Sequence, residues 1–471
     1  MVKGGGSSET EPFKGISVLD AIKETAGDRI NVDYLPMWIG SNLSAESSYI
    51  NRGCFEPDLK DGHRKALAEY FSNAELTGQP LVTKTDDFIN FKWNDGHPIE
   101  GIKTPSYSVR WTAKISAPQT DDYLFYCQSD GAKVILDGKE IIDSWTAPAE
   151  TISTHKIKLE KGQSHDLVVE YHHRTGPSTM RFSWGKADPQ FTSDEKNLIT
   201  RADAVIASVG LNKAIECEGY DHAYDLPSEQ VQLINNVAKL NSRVIAVLNA
   251  GGNVGMKDWV DDTAALLHAW YPGQNGNKAV AGVLFGDINP SGKLPDTFEA
   301  KWEDSPAFGN YPGDSANGGR VTYAEGIYVG YRSFDKRKLA PRYPFGYGLS
   351  YSTFSLDRMA IKGTMKSPEV LVDVKNTSKI KGATVVQLYV RPIGLKTAQD
   401  RPFQELKGFK RVELEPGESR SINFVLNKDS FATYDESAHK WTSPDGEYEI
   451  ALGFSSRDIA AQKSLHWRSL F

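Results

Sequence analysis

A block of β-only sequence splits this chain in two, and that split limits what it can fold into. From about residue 61 to 187 nearly every run reads as a short strand bounded by turn residues: YSVRWTAKISA, DYLFYCQSD, AKVILDG, KEIIDSW, HKIKLEKG, HDLVVEYHH and MRFSWG. Asp137-Gly138, between VIL and KEII, predicts a two-residue hairpin, because that pair tolerates the positive φ angles of a type I′ turn. Strands at this spacing predict a β-sandwich. The flanks follow another pattern. SVLDAIKETAG has helical spacing at Val18, Ala21, Ile22 and Thr25 with Gly27 as a stop, and RINVDYL alternates as a short strand. After the block, ADAVIASVG is a continuous apolar run, as in strands buried on both faces. PSEQVQLINNVAKLN is an amphipathic helix with Val231, Ile234, Val237 and Leu240 inward. SRVIAVLNA and AALLHAWY read as two more strands, and QNGNKAVAGVLFG as a helix ended by the turn Asn289-Pro290-Ser291-Gly292.

A β module between two α/β pieces is an insertion, and the halves must pack together across it. Residues 301–353 are rich in Gly, Pro, Tyr and Asp without periodicity, and predict an irregular surface connection. Beyond them, EVLVDVKNTS, ATVVQLYVRP, LKGFKRVELEPG, SRSINFVLN and GEYEIALGFS predict an immunoglobulin-like sandwich. The expected fold class is α/β plus all-β. An α/β sandwich domain spans 1–45 and 190–300, interrupted by a β-sandwich at 58–188. The connection covers 301–353, and an immunoglobulin- or fibronectin-like sandwich covers 354–471.

Composition narrows the function. The 471 residues are 39% hydrophobic and 11% aromatic, enough for several cores. A net charge of −7 argues against nucleic-acid binding, and no polybasic stretch points to a membrane surface. No apolar run is long enough to span a bilayer. The opening MVKGGGSSETEPFKG has no apolar core and does not read as a secretory signal peptide. That leaves either an intracellular protein or a start that is not the native one, and the compartment stays open. Cys54, Cys127 and Cys217 are too widely spaced for a disulfide framework or a zinc site. Cys217 has no basic neighbour in the sequence, so an inert thiol is expected there. His172-His173 point to opposite faces of a strand and read as structural. No metal and no cofactor are expected.

The chemistry concentrates in IECEGYDHAYDLP, residues 215–227, where Glu216, Glu218, Asp221 and Asp225 surround Gly219. This loop follows the ADAVIASVG strand. In doubly wound α/β domains ligands bind at the carboxyl ends of the strands. A carboxylic acid there serves as a general acid when burial or a second carboxylate raises its pKa. Two such groups flanking a sugar linkage are the equipment of glycoside hydrolysis. The plainer alternative is a solvated acidic loop, or an Asp capping the next helix.

The segment resembles the acid/base loop of glycoside hydrolase family 3, the β-glucosidase family. That family carries Glu-Gly-Tyr/Phe-Asp-Arg and then Asp-Leu-Pro, here Glu218-Gly219-Tyr220-Asp221-His222 and Asp225-Leu226-Pro227. GGGSSE at 4–9, WYPGQNGNKAVAGVLFGDINPSGKLPDTF at 270–298, YAEGIYVGYRSFD at 323–335 and YPFGYGLSYSTF at 343–354 resemble further family stretches. PFQELKGFKRVELEPGES at 402–419 is similar to the family's fibronectin type III-like domain, and SDGAKVILDGKEI to the protective-antigen-type module of one branch. The resemblance covers essentially the whole chain. It implies Glu218 as general acid/base, with Glu216 the less favoured candidate, a charge that tunes Glu218 or simply faces water. Two positions depart from the pattern: His222 replaces an Arg, which puts loop order in doubt, and Asn275 replaces a Glu at a helix start.

The resemblance also implies an N-terminal (β/α)8-type barrel that supplies the nucleophilic Asp, and no aspartate of this chain sits in that motif. The mechanism implied is retaining, exo-acting hydrolysis of terminal β-D-glucosyl or related residues, with this chain supplying the acid/base half. The expected partners are a β-glucoside or oligosaccharide substrate and a separate N-terminal barrel polypeptide, with a truncated product as the alternative. The rival function is a non-catalytic carbohydrate-binding fragment using Trp93, Trp111, Tyr123, Phe125, Trp145 and Trp184 as a stacking platform. At strand spacing most of these rings are expected in the core.

Overall fold

The computed structural model describes residues 13, 15–35, 66–86, 89–93, 98–99, 102, 106–117, 120–146, 151–174, 178–186, 191–211, 215–216, 222–310, 320–364, 366–395 and 400–469. The fold is α/β plus all-β, with three kinds of core. Helix α1 (Val18–Ala26) begins at Ser17, whose hydroxyl accepts from Asp20 N, and stops at Gly27 with φ 53°. The β block follows. Strands β2 (Val82–Asp86), β1 (Ala66–Phe71), β4 (Tyr107–Ser116), β9 (Ser164–His173), β6 (Ala132–Leu136) and β7 (Lys139–Asp143) make one sheet in that order. Strands β3 (Asn90–Trp93), β10 (Ser178–Lys186), β5 (Asp121–Ser129) and β8 (Thr151–Leu159) make the second. The β6–β7 turn has Asp137 at φ 51° and Gly138 at φ 77°, the two positive angles a type I′ turn requires. Between the sheets lie Tyr70, Trp111, Tyr123, Phe125, Val169 and Trp184.

Helix α2 (Ser193–Arg201), with a full capping box from Thr192 and Glu195, leads into a parallel sheet. Strands β11 (Val205–Gly210), β12 (Val244–Asn249) and β13 (Ala265–His268) lie in that order. Their side chains alternate between two packed faces, which is why the runs are continuously apolar. Ala207, Val209, Ala246 and Leu248 meet Ile234 and Val237 of α3 (Ser228–Ala238). On the other face Val247, with the partly buried Ile206 and Leu267, packs against Val18 of α1 and Val280 of α4 (Gly276–Phe285). Asn277 Nδ2 donates to Ile16 O at 2.7 Å and Lys278 pairs with Glu24 at 3.0 Å. Residues before and after the β block therefore share one core.

RINVDYL does not form a strand. It carries no ladder partner among the described residues, with Ile30 51% and Tyr34 58% exposed. Alternation supplies a face but no partner, and the described strands offer no ladder beside it. The connecting segment also differs from expectation, because it contains helix α5 (Tyr331–Arg337). Asp335 of α5 accepts from Gln404 Nε2 at 3.0 Å and pairs with Arg457 at 2.9 Å, which ties this segment to the terminal sandwich. That sandwich packs β14 (Phe354–Thr364), β15 (Ser367–Asn376) and β18 (Ser419–Val425) against β17 (Glu405–Leu414), β16 (Gly382–Ile393), β21 (Gly446–Gly453) and β22 (Ile459–Trp467), with the small hairpin β19 (Thr433–Asp435) and β20 (Lys440–Thr442) beside them. Asn289, in the turn that follows α4, donates to Ser352 Oγ and Lys381 O and accepts from Ser350 Oγ and Tyr351 N. The turn thus becomes the joint between the α/β unit and the sandwich. No helix among the described residues is long and apolar enough to cross a membrane.

Candidate active site

The acidic loop leaves the carboxyl end of β11, and its entry is fixed from two sides. Gly210, at φ 142°, donates its N–H to Gln230 Oε1 at 2.7 Å and accepts from Gln230 Nε2 at 2.9 Å. Gln230 sits in the first turn of α3 and is buried, so it brackets the strand end as a neighbouring strand does. Leu211 N donates to Asn249 O at 2.8 Å. Leu211 and Ile215 are both buried in the α3-side core.

Glu216 follows, and it does not simply face water. Its Oε2 accepts from Tyr271 Oη at 2.6 Å and from Gly251 N at 3.0 Å. Tyr271 Oη also lies 3.2 Å from Leu211 O. Gly251 stands just past β12 and Tyr271 just past β13, so one carboxylate oxygen joins the loop to the segments that follow the next two strands of the sheet. Tyr271 is aimed there by an unusual backbone. Trp270 has φ 53°, a left-handed angle that is costly for a bulky residue. Asn249 Nδ2 holds the Trp270 carbonyl at 2.9 Å, and the indole packs on Phe298 and His268. Burial holds His268 below the usual histidine pKa. The neutral ring fits its partners: Nδ1 accepts from Trp270 N at 3.3 Å, and Nε2 lies 3.2 Å from Gly252 O, which assigns the proton to Nε2.

The loop's exit is tied to the segment after β12. Gly255 N donates to Tyr224 O at 2.8 Å, and Asp225 bridges to Gly255. Asn253 Nδ2 donates to Tyr224 Oη at 2.9 Å and to Glu299 Oε2 at 2.5 Å. Burial pushes the Glu299 carboxyl above the usual glutamate range, with the Asn253 hydrogen bond opposing. A carboxyl whose pKa is raised on folding favours the folded state at low pH, and that contribution is lost as pH rises through the folded value. Glu299→Gln is therefore expected to raise the melting temperature near pH 8. The gain should fade towards pH 4, and thermal melts at both pH values check this.

Glu218, the general acid/base expected from the sequence, lies outside the described residues, as do Cys217, Gly219, Tyr220, Asp221 and Cys54. His222 turns its Nδ1 to Ala223 O at 2.6 Å. Of the six insert aromatics, Trp111, Tyr123, Phe125 and Trp184 are buried in the sandwich core. Trp93 stacks on Phe91 at 4.8 Å, and Trp145 on His172 at 4.2 Å. The rings are packing groups first, as their spacing predicted. His173 is buried against Asp130 at 2.5 Å, while His172 reaches Trp145 O at 2.7 Å, so the adjacent histidines have different partners. Burial pushes the Cys127 thiol up to about 12, which makes it inert. Among the described residues no three His, Cys, Asp or Glu side chains are grouped as metal ligands. Gln230, Gly251 and Tyr271 were not singled out from the sequence for any role. The only signal was the Gly251-Gly252 pair after an apolar strand, a mark of close backbone approach.

Comparison with known proteins identifies the family of the chain. The glycosyl hydrolase family 3 C-terminal domain matches residues 1–351, and the fibronectin type III-like domain matches residues 384–456. A β-glucosidase of Kluyveromyces marxianus is 33% identical over 99% of this chain and 58% of its own length. A probable β-glucosidase I of Aspergillus oryzae is 37% identical over 85% of this chain and 51% of its own length. The crystal structure of the Kluyveromyces marxianus β-glucosidase in complex with glucose superposes with a TM-score of 0.80 at 31% identity, covering 99% of this chain and 57% of that one. The chain thus spans little more than half the length of these relatives.

Proposed function

Because the chain belongs to glycoside hydrolase family 3, of which it carries the C-terminal part, we propose that it serves the retaining hydrolysis of terminal β-D-glucosyl or related residues, with Glu218 as general acid/base. The observation that carries this reading is the acidic loop's position. It leaves the carboxyl end of a parallel sheet, where such sheets present ligands, and it is tied there by Glu216. Glu218 lies two residues beyond that tie.

Retaining hydrolysis needs a second carboxylate about 5–5.5 Å from the first, to attack the anomeric carbon while the other protonates the leaving oxygen. The reading draws that nucleophile from a barrel domain that approaches the loop. Strand β11 is an edge of the parallel sheet among the described strands, and an apolar edge of this kind accepts a further strand. A barrel polypeptide that carries such a strand would complete both sheet and site.

The test is hydrolysis of an aryl β-glucoside by residues 1–471 alone, and again with a family barrel domain added in trans. The expected result is trace activity alone and turnover on addition. Full turnover by residues 1–471 alone overturns the reading. The rival, a carbohydrate-binding fragment without catalysis, loses support because most of its aromatic platform is committed to the sandwich core.

A further inference from the structure

We propose that Glu216 is a positioning residue, a clamp whose single oxygen, held by Tyr271 Oη and Gly251 N–H, anchors the chain immediately before Glu218 to the segments after β12 and β13. This rests on the assignment of Glu218 made above. Three independent details point to a clamp. Both hydrogen bonds converge on the same atom, Oε2. A Cβ built on Gly251 lies 1.9 Å from Glu216 Oε1 and 3.3 Å from Tyr271 Cε2, so a glycine is needed at 251 for the carboxylate to sit there. Trp270 takes a left-handed backbone angle, and Asn249 holds its carbonyl, in the residue that delivers Tyr271. Strain of this kind persists where surrounding structure over-determines it, and it clusters at functional sites.

The clamp acts at short range. Position 218 follows position 216 by two peptide units, at most about 7 Å of chain, so little chain lies between them to absorb a shift at 216. General acid catalysis requires the proton donor within hydrogen-bond reach of the leaving oxygen. Misplacement by about 1 Å can lower the rate by about 100-fold. Glu216 itself touches no reacting atom in this scheme.

Since one oxygen accepts both bonds, Glu216→Gln keeps that acceptor while removing the charge and turning the other oxygen into an NH2 donor, whereas Glu216→Ala removes the acceptor. Tyr271→Phe removes one donor. Gly251→Ala evicts the carboxylate without touching it chemically. The first measurement uses residues 1–471: amide hydrogen exchange at Gly251 and across 211–216. Exchange there should accelerate in Glu216→Ala and Gly251→Ala, with β12 unchanged and Glu216→Gln close to the parent. The second uses the chain complemented by a barrel domain, with phenyl and dinitrophenyl β-glucosides. Glu216→Ala and Gly251→Ala should lower kcat on the phenyl substrate by about 10–100-fold. KM should stay within about 3-fold, and Glu216→Gln should keep kcat within the same factor and leave the pH optimum in place.

Unchanged exchange in Glu216→Ala overturns the clamp. So does a Glu216→Gln variant as damaged as Glu216→Ala with a displaced pH optimum, because the charge would then be the active property. If Glu218→Gln shows no dependence on leaving group, the acid/base assignment fails, and exchange at Gly251 still judges the clamp by itself.

Discussion

Glu218→Ala is expected to lower turnover of a phenyl β-glucoside by about 10²–10⁴-fold in the barrel-complemented chain, while glucose binding is kept. The size follows from what a general acid does. Departure of a poorly stabilised phenoxide needs a proton delivered as the glycosidic bond breaks. Without the carboxyl, that proton must come from water. A dinitrophenyl leaving group departs as a stable anion and needs no proton, so its first step should survive the substitution. The glycosyl-enzyme intermediate would then accumulate, because on the proposed assignment the same residue is also the base for the attacking water. The measurable signature is a burst of dinitrophenolate followed by slow turnover. Added azide should relieve the slow phase, since an anionic nucleophile needs no base. Equal losses on both substrates, with no burst, would place the residue elsewhere in the mechanism.

Gly210→Ala is expected to destabilise the α/β unit by at least about 3 kcal/mol, the range of severe backbone conflicts. Gly210 has φ 142°, an angle L side chains rarely adopt. A Cβ there would lie 1.9 Å from Asn249 O and 2.8 Å from Asn249 N, both backbone atoms of the paired strand. Neither can yield without opening the β11–β12 ladder. The contrast is Gly251, where the obstructing atom is the tip of Glu216, a side chain that can swing away. Gly251→Ala should therefore cost activity with little stability, and Gly210→Ala should cost stability first. Urea denaturation of both variants, followed by far-ultraviolet circular dichroism, separates the two. A Gly210→Ala midpoint equal to the parent's would refute the conflict with the Asn249 backbone.

Local features were legible in the sequence where neighbouring residues alone decide them. The hairpin at Asp137-Gly138, the stop at Gly27 and the inward face of α3 each follow from a turn requirement or a helical period. The acidic loop's place after β11 was legible for the same reason, since a continuous apolar run and the carboxylates that follow it are adjacent in the chain. RINVDYL has a strand's alternation and no ladder among the described strands, because pairing depends on what lies alongside. Helix α5 was hidden because its seven residues are too few for a period to show, and its ties run to Gln404 and Arg457 in loops of the terminal sandwich.

The sequence by itself determined the order of architectures, the interruption of the α/β unit and the loop that bears the candidate acid. These are written in period and composition, which act between near neighbours. Only the tertiary structure decided that Glu216 is gripped by Tyr271 and Gly251, and that Gln230 brackets the end of β11. Those partners are 55, 35 and 20 residues distant along the chain. A hydrogen bond acts over about 3 Å and leaves no periodic trace in the sequence, so folding had to bring them together before the pairing could be seen.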